Sequence, residues 1–233
     1  MMIDLPKKYM IVEAFNRIPF LVHGFGTRQG TEEDLISNPD LAGFHRVSLR
    51  QTHSDIVRVI TTVPLKRMEG DAIVTDRSRI LLIIKTADCL PVFIVDRKIR
   101  IVAAVHCGWR GTLKRIIAKT IRAMEMNYGS DSLSLYFAFG PCIDEACYEV
   151  GEDVREKFRN EGLEKGIFDR HPLKEKKYVL NLRRANRAQI LAQGVPEKNI
   201  FSIDRCTRCD SDFFSYRRDG DRAGRMINFI GLC

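Results

Sequence analysis

The chain has 233 residues, 45% of them apolar and 29% charged, with 38 basic against 30 acidic side chains and a formal net charge of +8. That composition is ordinary for a globular chain with a sizeable core, and no apolar run approaches the roughly 20 residues that a bilayer-spanning helix needs. Acids interrupt nearly every basic stretch, as in Lys7–Glu13 and Arg155–Lys165, so the excess charge reads as a solvated surface with a local phosphate site, not an extended nucleic-acid face.

In chain order, Met1–Tyr9 carries Asp4, Lys7 and Lys8 and no long apolar core, so no signal peptide is expected and the protein is read as cytoplasmic. Phe20–Thr27 is a predicted strand leading to a turn at Arg28-Gln29-Gly30. Ile56–Thr62 is a β-branched strand, and Asp71–Thr75 follows the turn signal Glu69-Gly70. Ile80–Lys85, Val92–Val95 and Ile99–Val105 are the strongest strands. They are almost continuously apolar, which predicts cover on both faces. From Thr112 a helix is expected, because Leu113, Ile116, Ile117, Thr120, Ile121 and Met124 form one apolar stripe. Leu133–Gly140 is a strand and Val154–Arg159 a short helix. Arg183–Gln193 is a second amphipathic helix, closed by Gly194 and Pro196. Phe201–Asp204 and Met226–Ile230 are late strands.

No repeat or linker divides the chain, and strands mix with a few long helices without βαβ alternation. The expected fold is an α/β (α+β) layered single domain over residues 1–233, with mixed β-sheets flanked by helices. The absence of a Gly-rich strand-to-helix loop argues against a doubly wound nucleotide-binding fold.

Seven cysteines, an odd count, in a reducing compartment are buried thiols, metal ligands or nucleophiles, not staples. Cys89, in Thr86-Ala-Asp-Cys-Leu-Pro91, precedes a strand, and His106, in His106-Cys-Gly-Trp-Arg-Gly111, follows one. A hairpin turning at Arg97-Lys98 pairs residues whose numbers sum to 195, which puts Cys89 opposite His106 on one face. A thiolate and an imidazole so placed can share one metal, most simply zinc. A catalytic zinc takes a third protein ligand. Of five histidines, His23 suits a packed core and His45 and His171 suit the surface, which leaves His53 in Gln51-Thr-His-Ser-Asp55. The helix start after His106, with Arg110 beside it, is a natural anion site. Trp109, the only tryptophan, offers an apolar wall for a flat base, although a core tryptophan beside a tight turn fits equally well. Cys142, Cys147, Cys206 and Cys209 are read as buried thiols, because one Cys-x-x-Cys and a five-residue spacing are weak zinc signals.

Gly24-Phe-Gly-Thr-Arg28, Gln51-Thr-His53, Gly70-Asp-Ala-Ile-Val-Thr75, Thr86-Ala-Asp-Cys-Leu-Pro91, His106-Cys-Gly-Trp-Arg-Gly111, Gly140-Pro141 with Tyr148-Glu-Val150, and Phe213-Phe-Ser-Tyr-Arg-Arg-Asp219 together resemble the laccase-like polyphenol-oxidase family, also called the multicopper polyphenol oxidoreductase or YfiH-type purine nucleoside phosphorylase family. The resemblance runs from about Phe20 to the C-terminus. It implies a YfiH-like layered fold and zinc held by His53, Cys89 and His106. It also implies phosphorolysis of adenosine, inosine, guanosine and methylthioadenosine, with deamination of adenosine. The chain departs from the pattern at Cys107, a place usually held by a small residue such as alanine, and at Ser54, where glycine is common. A thiolate at Cys107 near the metal would close its open position.

Four functions follow. A zinc-dependent purine nucleoside enzyme would take nucleosides and phosphate. It would use Arg28, Arg110 and Arg217 as a phosphate clamp, or as surface ion pairs if the clamp lies elsewhere, and Asp88 or Asp71 as proton shuttle. A copper phenol oxidase is disfavoured, since multicopper sites need His-x-His pairs and none is present, although a Cys/His site also binds copper. A cysteine hydrolase would use Cys89 as nucleophile and His106 as base. A nucleic-acid or protein-binding module is opposed by the interspersed acids, and neither nucleic acid nor membrane is expected as partner. Nothing in the sequence fixes the oligomeric state.

Overall fold

A computed structural model of the chain describes residues 8–233, and the statements below concern those residues. Most of the leader-free reading of Met1–Tyr9 falls outside them. Two large sheets lie face to face. The first runs, in spatial order, Ile200–Ser202, Leu135–Phe139, Leu90–Asp96, Ile101–Cys107, Ala72–Thr75 and Val57–Val59. The second runs Tyr9–Met10, Leu21–Gly26, Met226–Leu232, Ile80–Thr86 and His45–Ser48. Each is mixed: Val57–Val59 runs parallel to Ala72–Thr75, and His45–Ser48 parallel to Ile80–Thr86, while the central pairs are antiparallel.

The central strands show why their sequences are apolar at every position. In Leu90–Asp96 and Ile101–Cys107 side chains alternate between faces. Phe93, Val95, Val102 and Ala104 join Leu82, Ile84, Ile230 and Phe25 in the core between the sheets. Val92, Ile94, Ala103, Val105 and Cys107 face the other way, onto Ile116, Ile117, Ile121 and Met124 of one helix and Leu182, Ala185 and Ile190 of another. A third apolar cluster, with Leu35, Phe44, Leu81 and Phe229, covers the outer face of the second sheet. The fold is thus the expected layered α/β domain with mixed sheets. A small sheet of Glu149–Gly151, Lys177–Leu180 and Phe168–Arg170 was not expected. Its strands are too short and too charged to show alternation.

Two departures bear on the site. The central hairpin pairs Pro91 with His106 and Asp96 with Ile101, so partner numbers sum to 197, not 195. The loop is Arg97–Arg100, and Ile99 belongs to it instead of opening a strand. Asp96 Oδ1 accepts from the Lys98 amide at 2.9 Å and the Ile99 amide at 3.3 Å, and Arg100 takes a left-handed conformation, φ 55°. A shift of two residues conserves the facing of every side chain. His106 still points to the face on which Cys89 lies.

The predicted helix from Thr112 is broken. Trp109–Leu113 forms a short turn of helix, Arg115 adopts φ 59°, and Ile116–Tyr128 is the long helix, ended by Gly129 at φ 74°. The Thr112 carbonyl, which would continue the helix, instead accepts from Gln189 Nε2 at 2.8 Å and the Arg115 amide at 3.0 Å. The apolar stripe falls as expected apart from the break.

Candidate metal centre

The strand Ala72–Thr75 pairs with Val102–Val105, which sets Asp71 beside His106 at the strand end. Asp71 is fully buried. Its Oδ1 lies 2.8 Å from His106 Nδ1 and accepts from the His53 amide at 3.1 Å. Its Oδ2 accepts from the Thr52 amide at 3.2 Å and from the Ser54 amide and hydroxyl, both at 2.6 Å. One carboxylate therefore orients an imidazole and ties down the loop that carries another. That loop is strained at His53, φ 57°, a cost of order 1–3 kcal/mol that persists only where surroundings enforce it. Ser54, where the resemblance expects glycine, supplies the hydroxyl bond.

Three donors converge at this point. Cys89 Sγ lies 3.8 Å from His53 Nε2, the rings of His53 and His106 are 4.9 Å apart at 69°, and one ligand atom from each residue lies within 4.8 Å of the others. Atoms bound to a common zinc at about 2.0–2.3 Å lie about 3.3–4 Å apart, so small movements close this set on an ion. The donor chemistry also fits. With His106 Nδ1 directed to Asp71, Nε2 is left for a metal, the usual carboxylate–histidine–metal relay. Gly108 completes the cradle: a Cβ there would sit 2.9 Å from Cys89 Sγ and 3.1 Å from His53 Cδ2.

Electrostatics agree with the geometry. Burial pushes the Cys89 thiol up, but the His106 charge and hydrogen bonds from His106 and His53 outweigh it and bring it down to about 6. Burial opposes the His106 imidazolium, yet the Cys89 thiolate and Asp71 raise it to about 9. Burial likewise raises Asp71, and hydrogen bonds from His106 and Ser54 reverse this to about 2. Cys107 stays out of the set. It points to the opposite sheet face, buried in the helix-side core, where burial first and the Cys89 charge second hold its thiol well above the ordinary range. The fourth position is not closed by Cys107.

The donors lie on the floor of a cleft of about 680 Å³ lined by Arg50, Arg67, Lys85, Arg110, Arg217 and Arg225, with Trp109, Tyr148 and Tyr216. That volume is of the size of small-ligand sites. Arg110 stacks over Trp109 at 4.5 Å, and Lys157 approaches the same ring at 5.6 Å. Trp109 thus serves as a platform for cations more than as an open wall for a base. Arg217 stacks on Tyr148 at 5.2 Å and donates to the Glu149 carbonyl at 2.8 Å. The helix following Gly108 spans only Trp109–Leu113, so the cations, not a long helix dipole, give the cleft its sign.

Three expectations change here. Arg28 does not line the cleft: it donates to the Phe213 carbonyl, stacks on Phe214 and faces Asp219 at 3.9 Å, a structural clamp. Asp71, expected as a proton shuttle, is fully buried and bonded to His106 and the His53 loop, with no exposure to the cleft. Asp88 reaches the cleft, but Oδ1 accepts from Thr207 Oγ1 at 2.7 Å and Oδ2 from the Arg217 amide at 2.6 Å, so both oxygens hold the wall together. His23 is a core histidine, as expected, accepting from the Val12 amide at 2.9 Å. Sequence reasoning did not single out Arg50, Arg67, Lys85, Arg225 or Tyr216, because their convergence depends on strand order. Tyr148 stood in a motif without a role. It is buried against the cleft, and burial raises its phenol above the ordinary range.

The model of the family described as multi-copper polyphenol oxidoreductase laccase matches residues 33–233. The chain belongs to this family. Among curated relatives, it is 38% identical over 184 residues to a purine nucleoside phosphorylase of Clostridium acetobutylicum, covering 78% of this chain and 75% of that one. It is also 38% identical over 192 residues to an adenosine deaminase, RL5, from an unknown prokaryotic organism, with 78% and 72% covered. Among solved structures, the hypothetical protein YfiH of Bacillus licheniformis superposes with a TM-score of 0.87 at 28% identity, over 98% of this chain and 97% of that one. The family's description speaks of several coppers, whereas His53, Cys89 and His106 are the one histidine-bearing ligand group among the described residues.

Proposed function

We propose that this chain is a zinc-dependent purine nucleoside enzyme that phosphorolyses adenosine, inosine, guanosine and methylthioadenosine and deaminates adenosine. The observation that carries the reading is the His53–Cys89–His106 set, to which no fourth histidine, cysteine or carboxylate belongs among the described residues, in a cation-lined cleft. The names of the relatives support the substrate class. Held by His53, Cys89 and His106, zinc would supply Lewis-acid charge stabilisation; copper is the competing ion.

In phosphorolysis a phosphate oxygen bonds to the ribose C1′ while the C1′–N9 bond breaks, and the departing purine takes up a proton. Arg110 and Arg217, which line the cleft, would hold the phosphate; Arg110 makes no ion pair among the described residues and can turn to it. Tyr148, held protonated by burial, presents an O–H donor to the cleft. In deamination water adds at C6 and ammonia leaves. Asp88 keeps the Arg217 backbone in place for either reaction.

A cysteine hydrolase is the second reading, favoured by the line of thiol, imidazole and carboxylate through Cys89, His106 and Asp71. His53, close to the same sulfur, has no part in such a triad. Incubation of metal-analysed protein with adenosine, with and without phosphate, separates the two. Adenine and ribose-1-phosphate appearing only with phosphate, or inosine in either case, and loss of both on chelation support the proposal. Absence of all these products overturns it, and activity on an ester or amide that survives chelation establishes the hydrolase.

A further inference from the structure

A second group of soft ligands lies on the far side of the cleft wall. Cys147 ends the short 3-10 turn Glu145–Cys147, and Cys206 and Cys209 lie on the loop that follows Ile200–Ser202. One sulfur from each lies within 4.8 Å of the others, and Cys147 Sγ and Cys209 Sγ are 3.0 Å apart. The backbone is built around Cys206. Cys142 and Cys206 form an isolated parallel bridge, with the Cys142 amide bonded to the Arg205 carbonyl at 3.3 Å and the Thr207 amide to the Cys142 carbonyl at 3.1 Å. The Asp144 amide donates to Cys206 Sγ at 3.4 Å.

A backbone amide aimed at a sulfur stabilises negative charge on it, which is what a metal thiolate carries. A disulfide between Cys147 and Cys209 would account for two of the sulfurs. It would leave the third, the one that accepts the Asp144 amide, without a purpose. Three thiolates and no imidazole select a thiophilic cation over a hard one.

We propose that Cys147, Cys206 and Cys209 form a second metal site, a tri-thiolate zinc centre distinct from the one in the cleft. Cys209 is exposed, so water can supply the remaining ligand. Its place in the fold gives it a use. Cys147 precedes Tyr148, and Thr207 and Arg217, on the segment that Cys206 and Cys209 anchor, hold the two oxygens of Asp88. A zinc ion here staples two segments whose other ends form one wall of the cleft. It is a structural centre, and residues bound to it position Tyr148 and Arg217.

Zinc content per chain after purification under reducing conditions tests this. The wild type is expected to carry about two zinc ions, His53→Ala about one, and the double variant C206S/C209S about one. Cobalt substitution assigns the ions. His53→Ala should keep the intense sulfur-to-cobalt absorption of several thiolates, and C206S/C209S should keep only the weaker band of a single thiolate. Should C206S/C209S fail to fold, Cys206→His, which retains a soft ligand, is expected to hold about two zinc ions and restore folding. One zinc per wild-type chain that is lost in His53→Ala overturns the proposal, as does a Cys147–Cys209 disulfide in the freshly purified protein by mass spectrometry. Neither outcome depends on the activity of the cleft.

Discussion

At Gly108 the backbone has φ −77°, ordinary for any residue, yet a methyl group would press on both Cys89 and His53. Gly108→Ala is therefore expected to fold with near-native cooperativity while its affinity for the cleft metal falls by about 10-fold or more, measured by chelator competition. Equal affinity would show that the two ligands yield without cost. His23 offers a test remote from the cleft. Burial lowers its pKa to about 4, so the folded state favours the neutral ring. Its contribution is fully present above the unfolded pKa of about 6.5 and is lost as pH falls towards 4, a loss of about 3 kcal/mol. In His23→Gln, which keeps an acceptor for the Val12 amide, the fall in Tm between pH 7 and 4.5 should be smaller by several degrees. Arg110 stands nearest to being a free cation in the cleft. Arg110→Ala should raise KM for phosphate about 10-fold, a loss of about 1.4 kcal/mol, and weaken the salt dependence of phosphate binding, read from initial rates at two ionic strengths.

At the scale of elements, the hairpin Leu90–Cys107 sets the positions of Cys89, His106 and, through its neighbour strand, Asp71. Its loop rests on Asp96, which is 1% exposed and satisfies two loop amides. Asp96→Ala should destabilise the protein by about 1–3 kcal/mol by leaving those amides unpaired, and Asp96→Asn should recover most of this; urea denaturation of the two variants measures the difference. The same hairpin shows what sequence could reveal. Its apolar runs announced two buried strands, and the facing of Cys89 and His106 survived a register error of two. An error of one would have turned them to opposite faces. The break at Arg115 was invisible, because no glycine or proline marks it and the Thr112 carbonyl before it bonds to Gln189, 77 positions further along the chain.

For the whole molecule, the layers matter because the cleft opens where ends of the two large sheets meet the loops after Cys107 and Asp210. The layered fold and the convergence of His53, Cys89 and His106 were legible in the sequence, the former from apolar runs and the latter from local motifs beside strands. The cationic rim and the role of Asp71 were not, since Arg50, Lys85 and Arg225 come together only through strand order and Asp71 reaches His106 only across a paired strand. Asp88 and Arg28 were expected as proton shuttle and phosphate clamp because a charged residue inside a motif looks like chemistry; their contacts, with backbone and neighbouring side chains, depend on segments distant in sequence.

Anomalous diffraction at the zinc edge on crystals of the zinc-loaded protein would locate the ion. A peak is expected within about 2.0–2.3 Å of His53 Nε2, Cys89 Sγ and His106 Nε2, with solvent or substrate as the remaining ligand. An empty position between those three atoms, or a fourth side chain bound to the ion, would contradict that expectation.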